Sequence, residues 1–410
     1  MKVRLGYVAI SNCIGVTSSS PFTYSEYLKV GNVDKLDNVI ISNLEALENI
    51  IDYNIRNNIH FYRMSSKIIP LATKDDVPFD YIDKYKDYYK EIGKKINDSG
   101  MRVDFHPDQF CVLNSVKSDV VHNSIEIINY HYNILEALGI KNKILVLHVG
   151  SSTFGKDNSI RRFINCYNKL PSHLKKCMVI ENDDKIFNVS DVLTISKITG
   201  IPVVLDYHHH LCNKSDFSFE DVFNSWGNMT IKMHFSSPKN KKDYRNHNDY
   251  INGDDFIDFM EILKKYDKDV DIMIEAKCKD DSLFRLIRYL KYKTNYMFID
   301  DTSFVDSLKV ASDCYFISVN NSIIIPENTP NVYNKIIINK FSFLFLLFFI
   351  STKREEPLFV RSPPIREPNV IVLFRYNSVK ITLAAQFGIS PINPVINGDN
   401  ILFVSSIFDR

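Results

Sequence analysis

The stretch Val203–His210, VVLDYHHH, opens as an unbroken apolar run and closes on an aspartate followed by a tyrosine and three histidines. A run that is apolar at successive residues suits a strand buried on both faces, as in a parallel sheet covered by helices. Its polar end sets metal-competent groups at the C-terminal tip of that strand. The fold turns on whether this pattern recurs.

It recurs along the first three quarters of the chain. Strand candidates of the same texture are Val3–Ala9, His60–Ser65, Met101–His106, Ile144–Val149, Met178–Asn182, Val203–Tyr207, Thr230–Phe235 and Asp271–Ala276. Helical patterns lie between them. In Asn38–Ile55, for example, Val39, Ile40, Leu44, Leu47, Ile50 and Ile51 recur at steps that line one helix face. Tyr81–Ile96, Val120–Leu138, Phe256–Tyr266 and Ser282–Lys291 read the same way. Eight strand-then-helix units are the rhythm of an α/β fold of the (β/α)8, or TIM-barrel, kind. A doubly wound open sheet shares the alternation and differs only in strand order.

The rhythm stops near residue 300, which divides the chain into a barrel domain over 1–299 and a C-terminal extension over 300–410. Phe341–Ile350, FSFLFLLFFI, is the most apolar window, but its ten residues fall short of the roughly twenty that a membrane-spanning helix needs. Further on, prolines punctuate short β-rich runs such as VIVLF at Val370–Phe374. No site-like cluster occurs in this extension.

The formal net charge of +1 means that binding to a polyanion must rest on a local patch or on bound cations. The seven cysteines are scattered and never spaced Cys-x-x-Cys, which fits reduced thiols better than a disulfide framework or a zinc ribbon. The N-terminal MKVRLGYVAISN has a charge at Arg4 and no long apolar core, so it reads as a first strand and not as a signal peptide. A cytoplasmic protein is expected.

In a (β/α)8 barrel, functional groups gather at the C-terminal ends of the strands. The third strand candidate ends on His106, the fourth on His148, the fifth on Glu181, the sixth on Asp206 with His209, the seventh on Lys232 and His234, and the eighth on Glu275. A single histidine at an apolar strand end is more often a satisfied core residue than a ligand. Repetition at six consecutive strands weighs against that reading. Glu181, Asp206 and Glu275 would repel one another in a closed barrel mouth, and buried carboxylates need partners; divalent cations supply them. Imidazole and carboxylate without thiolate suit Zn, Mn or Fe better than Mg alone. The ligands outnumber what one ion takes, so two or three ions are expected, with a carboxylate such as Glu181 bridging. Sites of this kind serve phosphodiester hydrolysis, and metal-dependent sugar isomerases are the competing use.

Several segments resemble the UV damage endonuclease family. They are RLGY (Arg4–Tyr7), FYRMSSKIIPLAT (Phe61–Thr73), DFHPDQF (Asp104–Phe110), IENDDK (Ile180–Lys185), DYHH (Asp206–His209), HFSSPK (His234–Lys239), HNDYI (His247–Ile251) and MIEAKCKD (Met273–Asp280). They occur in order and span about residues 1–296. The resemblance implies a TIM barrel holding up to three divalent ions, chiefly manganese. It also implies incision of double-stranded DNA immediately 5′ of ultraviolet photoproducts. Its metal ligands would be His106, His148, Glu181, Asp206, His209, His234, His247 and Glu275. Lys232 matches a lysine of the family site, Gln109 and Phe110 match a pair that probes the duplex, and Tyr7 and Asn12 match a lesion-facing first loop. After IIPLAT the family commonly has an active-site histidine, where this chain has Lys74; a lysine there suits a phosphate contact better than a metal bond.

The expected catalytic set is therefore Glu181, Lys232 and Lys74, acting in a monomer that needs no organic cofactor and gives no firm sign of a membrane partner. His208 and His210 are expected to be structural. An abasic-site endonuclease of the same barrel type and a non-catalytic descendant that binds damaged DNA are the alternatives.

Overall fold

The structure is a computed structural model that describes residues 1–30, 33–77, 79–108 and 110–305, together with six short strands beyond them. Gln109 and the apolar window Phe341–Ile350 lie outside the described residues. The chain divides into two units, Met1–Asp306 and Ser307–Arg410.

The first unit is built on eight parallel strands: β1 (Lys2–Val8), β2 (Phe61–Arg63), β3 (Arg102–Asp104), β4 (Leu145–His148), β5 (Met178–Glu181), β6 (Val203–Asp206), β7 (Ile231–Phe235) and β8 (Val270–Ile274). Their order is β3-β2-β1-β8-β7-β6-β5-β4. A parallel bridge between Phe105 and Leu145 joins the two ends, with Phe105 N–H donating to Ile144 O at 3.2 Å and Val146 N–H to Phe105 O at 3.0 Å. The sheet is thus closed into a barrel, and the open doubly wound alternative falls away. Strands β5 to β8 are buried along their whole length, as their unbroken apolar runs require.

Helices cover the outside. The longest is α2 (Val33–Arg56), which follows the short α1 (Tyr24–Val30). The pattern over Tyr81–Ile96 is interrupted at Tyr85, giving α3 (Tyr81–Lys84) and α4 (Lys86–Asp98). Then come α5 (Ser118–Ala137), α6 (Lys156–Lys169), α7 (Ser172–Cys177), α8 (Val189–Thr199), α9 (Tyr207–Cys212), α10 (Phe219–Asn224), α11 (Gly253–Lys264) and α12 (Lys279–Lys293). Close approach fixes Gly6 in β1, where a Cβ would lie 2.3 Å from Phe61 O.

Two short antiparallel strands, β9 (Met297–Phe298) and β10 (Ser303–Val305), complete the unit. Because β2 covers only Tyr7 and Val8 of β1, the start of β1 would present an open edge; β10 takes it, pairing with Lys2, Val3 and Arg4.

The barrel interior carries charge where aliphatic layers are usual. Strand periodicity sends Asp271 and Glu275, Lys232 and His234, and Arg102, Asp104 and His106 to the same, inner face. Arg4 pairs with Asp271 through two bonds of 2.8 and 2.6 Å, and Arg102 reaches the same carboxylate at 2.6 Å. Above them, fully buried Lys232 pairs with fully buried Asp104.

The second unit contains two small antiparallel sheets. One is Ile317–Val319, Ser322–Ile324 and Val360–Arg361; the other sets Asn369–Arg375 and Pro394–Asn397 on either side of Asn400–Ser406. The VIVLF run is thus a strand. Among the described residues no helix is long and apolar enough to cross a membrane.

Candidate metal centre

Parallel register brings two pairs of strand-end groups level with one another. His148 at the end of β4 pairs in register with Glu181 of β5, and Asp206 of β6 with His234 of β7. Glu181 is the hub. Its Oε2 lies 2.8 Å from His106 Nε2 and 3.7 Å from His148 Nε2, while its Oε1 lies 2.7 Å from His234 Nδ1 and 3.7 Å from His209 Nδ1. Two candidate ion positions result: one among His106, His148 and Glu181, the other among Glu181, Asp206, His234 and Glu275. Within each group the ligand atoms lie within 4.8 Å of one another.

His209 and His247 stand beside the second group. His209 Nδ1 is 3.7 Å from Asp206 Oδ2, and His247 Nδ1 is 3.9 Å from Glu275 Oε2. All eight sequence-read ligands therefore converge. His208 is buried beside Arg245 O, and His210 packs against Phe217. Asp206 also caps α9, accepting from His209 N–H at 2.7 Å, and the Asn182 side chain clamps the Asp206 backbone through two bonds of 3.0 Å.

The electrostatics show a site short of positive charge. Burial pushes Asp206 up to about 7, helped by Glu181 and Glu275 and opposed by His209. Asp206 Oδ2 is buried with no hydrogen-bond partner, and so is His148 Nδ1. Burial works against charge on His209, but Asp206, Glu181 and Glu275 more than reverse it and raise His209 to about 9. Burial also opposes ionisation of Glu181, yet the imidazoles of His234 and His148 and the hydrogen bonds from His106 and His234 hold it well below the usual carboxylate range. His234 is lowered to about 4 by burial. An orphaned carboxylate oxygen facing two further carboxylates is what a bound cation would satisfy. The donor set fits divalent ions, and the residues present match the group the fold implies.

Sequence reading passed over Arg63 and Asp104, although both lie within quoted segments. Arg63 Nη1 donates to Glu275 Oε1 at 2.5 Å, Nη2 to His234 Nε2 at 2.5 Å, and Nε approaches Asp104 Oδ1 at 3.4 Å. Because arginine can only donate, His234 Nε2 must accept and its proton sits on Nδ1, aimed at Glu181. That proton and the guanidinium together occupy part of the place of a cation. The available signal was a charged residue at the end of a buried strand, as in FYR and VDF.

The other site candidates are placed as follows. Lys232 is buried beneath the cluster on Asp104, and burial lowers it to about 7 despite that partner. Lys74 is exposed in the loop after β2, its Nζ 5.7 Å from the centre of the Tyr24 ring. Asn12 is exposed on the first loop, its N–H bonded to Asp280 at 2.8 Å. Tyr7 faces the core and not the rim: it is fully buried, its ring beside Tyr62 and its hydroxyl donating to Asn54 at 2.8 Å. Phe110 is 70 % exposed.

The model of the UV-endonuclease UvdE family matches residues 3–303. The chain belongs to that family. A UV DNA damage endonuclease of Bacillus cereus (strain B4264) is 39 % identical over 298 residues, covering 70 % of this chain and 94 % of the relative. One from Bacillus mycoides (strain KBAB4) is 39 % identical over the same length. The solved structure of SacUVDE superposes with a TM-score of 0.65 at 35 % identity, covering 71 % of this chain and 98 % of its own. The matches fall on the barrel unit, which is thereby a DNA repair endonuclease of this family, with DNA as its substrate.

Proposed function

We propose that the chain hydrolyses the phosphodiester immediately 5′ of an ultraviolet photoproduct in double-stranded DNA. Two or three divalent ions, manganese foremost with zinc or magnesium as alternatives, would be held by His106, His148, Glu181, Asp206, His209, His234, His247 and Glu275. The observation that carries this reading is the division of Glu181 between two ligand groups, with Asp206 Oδ2 left unpartnered beside it. When bound, such ions supply Lewis-acid stabilisation of the phosphate and activation of water.

The chain's own groups supply positioning. Arg63 orients Glu275 and holds the His234 ring by its Nε2, so that Nδ1 faces the cluster and would give up its proton when an ion is held there. Lys232 acts from below, neutralising Asp104 so that Arg63 can serve the cluster above. Lys74, exposed beyond β2, meets the scissile phosphate in place of the family's histidine. Phe110 and Gln109 probe the duplex, filling space left when damaged bases leave the stack. Asn12 faces the lesion from the first loop, while Tyr7 anchors that loop's strand to α2.

Supercoiled plasmid tests the proposal. With manganese, ultraviolet-exposed plasmid should be nicked and unexposed plasmid spared. Equal nicking of both would remove lesion specificity. Preference for an oligonucleotide with an abasic site over one with a cyclobutane dimer would reassign the substrate.

A further inference from the structure

The loop from β4 to α6 carries an aromatic ring at odds with its surroundings. Phe154 is 77 % exposed, and its φ of +64° lies in the left-handed region, which a bulky side chain rarely adopts. The glycine better suited to such a backbone is the next residue, Gly155. A large apolar ring held in water on a disfavoured backbone marks a position that folding alone does not demand.

The loop is firmly built around it. Gly155 N–H donates to Ser152 O at 2.9 Å, Asn158 Nδ2 to Phe154 O at 2.9 Å, and Arg162 Nη2 to Thr153 O at 2.6 Å. It is also braced to the β3–α5 loop, which carries Phe110. Asn114 Nδ2 donates to Ser151 O at 2.7 Å and Ser151 N–H returns a bond to Asn114 Oδ1 at 2.8 Å, while Arg162 Nε donates to Asn114 O at 2.7 Å. Gly150 permits this approach: its φ is +107°, and a Cβ there would lie 2.7 Å from Asn114 Oδ1. The two braced loops leave the barrel just after His106 and His148, whose rings share Glu181 Oε2.

We propose that Phe154 is a second aromatic contact to the distorted duplex, and that Phe154 and Phe110 act as a two-ring clamp on joined loops beside the His106–His148–Glu181 group. The inference rests on the barrel rim being the DNA-binding face. Ring stacking is indifferent to base identity, which suits recognition of a distortion. Preorganised loops present both rings without ordering cost at the moment of binding.

The test compares wild type, F154A and F154Y for binding to a duplex with one cyclobutane dimer and to its undamaged counterpart, alongside bound metal and thermal stability. F154A should bind the damaged duplex about 10-fold more weakly, with metal content unchanged and stability equal or higher, and F154Y should behave as wild type. F154A binding and incising like wild type would overturn the inference alone, as would a loss shared by F154Y, which would mark a disturbed loop. If wild type itself failed to prefer the damaged duplex, the lesion-specific function and this inference would fall together.

Discussion

At Arg63 one guanidinium is divided among Glu275, His234 and Asp104 inside the barrel. Removing it leaves Glu275 without its main counter-charge and Asp104 with Lys232 alone, and breaking a buried ion network of this kind costs about 3–5 kcal/mol. The metal-free R63M variant should lose that much in a urea titration. Glu181 differs in kind, since it belongs to both ligand groups. E181Q should lower incision by more than about 100-fold and reduce the ions retained per chain, as measured by elemental analysis. His131 gives a pH signature from a histidine outside the ligand set: burial lowers it to about 4, with His106 adding to the fall, while its Nδ1 is bonded to Ile127 O at 2.7 Å. The unfolded chain binds this proton below about pH 6.5 and the folded chain only near 4, so acidification through that window favours unfolding. The contribution is on the order of 3 kcal/mol. Denaturation of wild type and H131F from pH 7 to 4, in chelator, should show a flatter fall for the variant. Seven of the eight proposed ligands were legible at or just beyond the ends of apolar runs, and His247, in the loop after β7, only through the family resemblance. Arg63 and Asp104 were not, because their partners lie on other strands and single residues do not announce pairings.

At the level of elements, the site is a product of register. His148 meets Glu181, and Asp206 meets His234, because β4 with β5 and β6 with β7 pair without stagger at their tips, whereas Glu181 pairs with Val204, so Asp206 stands two residues beyond it. Gly6 keeps β1 close enough to β2 for Arg63 to reach inward. G6A would drive a Cβ against the Phe61 carbonyl, and backbone cannot yield as a side chain can. A loss of about 3 kcal/mol or more is expected by chemical denaturation. The strands were readable from continuous apolar runs, and α2 and α5 from their periodicity. Helices α6 and α8 were passed over, the first because polar residues dilute its stripe in KDNSIRRFINCYNK. The break at Tyr85 was invisible because the apolar spacing runs through it. The closing bridge at Phe105 lies just beyond a three-residue strand, and ring closure is a pairing that no local pattern encodes.

For the whole molecule, a charged interior replaces aliphatic layers, from Arg4, Arg102 and Asp271 through Lys232 and Asp104 to Arg63 and the ligands. Such a barrel is tied to its own site, since the same ion network supports the walls and positions the ligands. The family match ends at residue 303 and the first unit at Asp306. A chain of residues 1–306 should therefore fold and incise damaged DNA within a few-fold of the full chain, measured by thermal unfolding and by nicking; loss of either would place part of the function in residues 307–410. The two halves of the ligand cluster also cannot fill as strangers. Glu181 turns one oxygen to each, so a cation held in one group would draw negative charge from the oxygen that faces the other. Calorimetric loading curves should then depart from those of two equal, separate sites, because one side chain keeps the account of both.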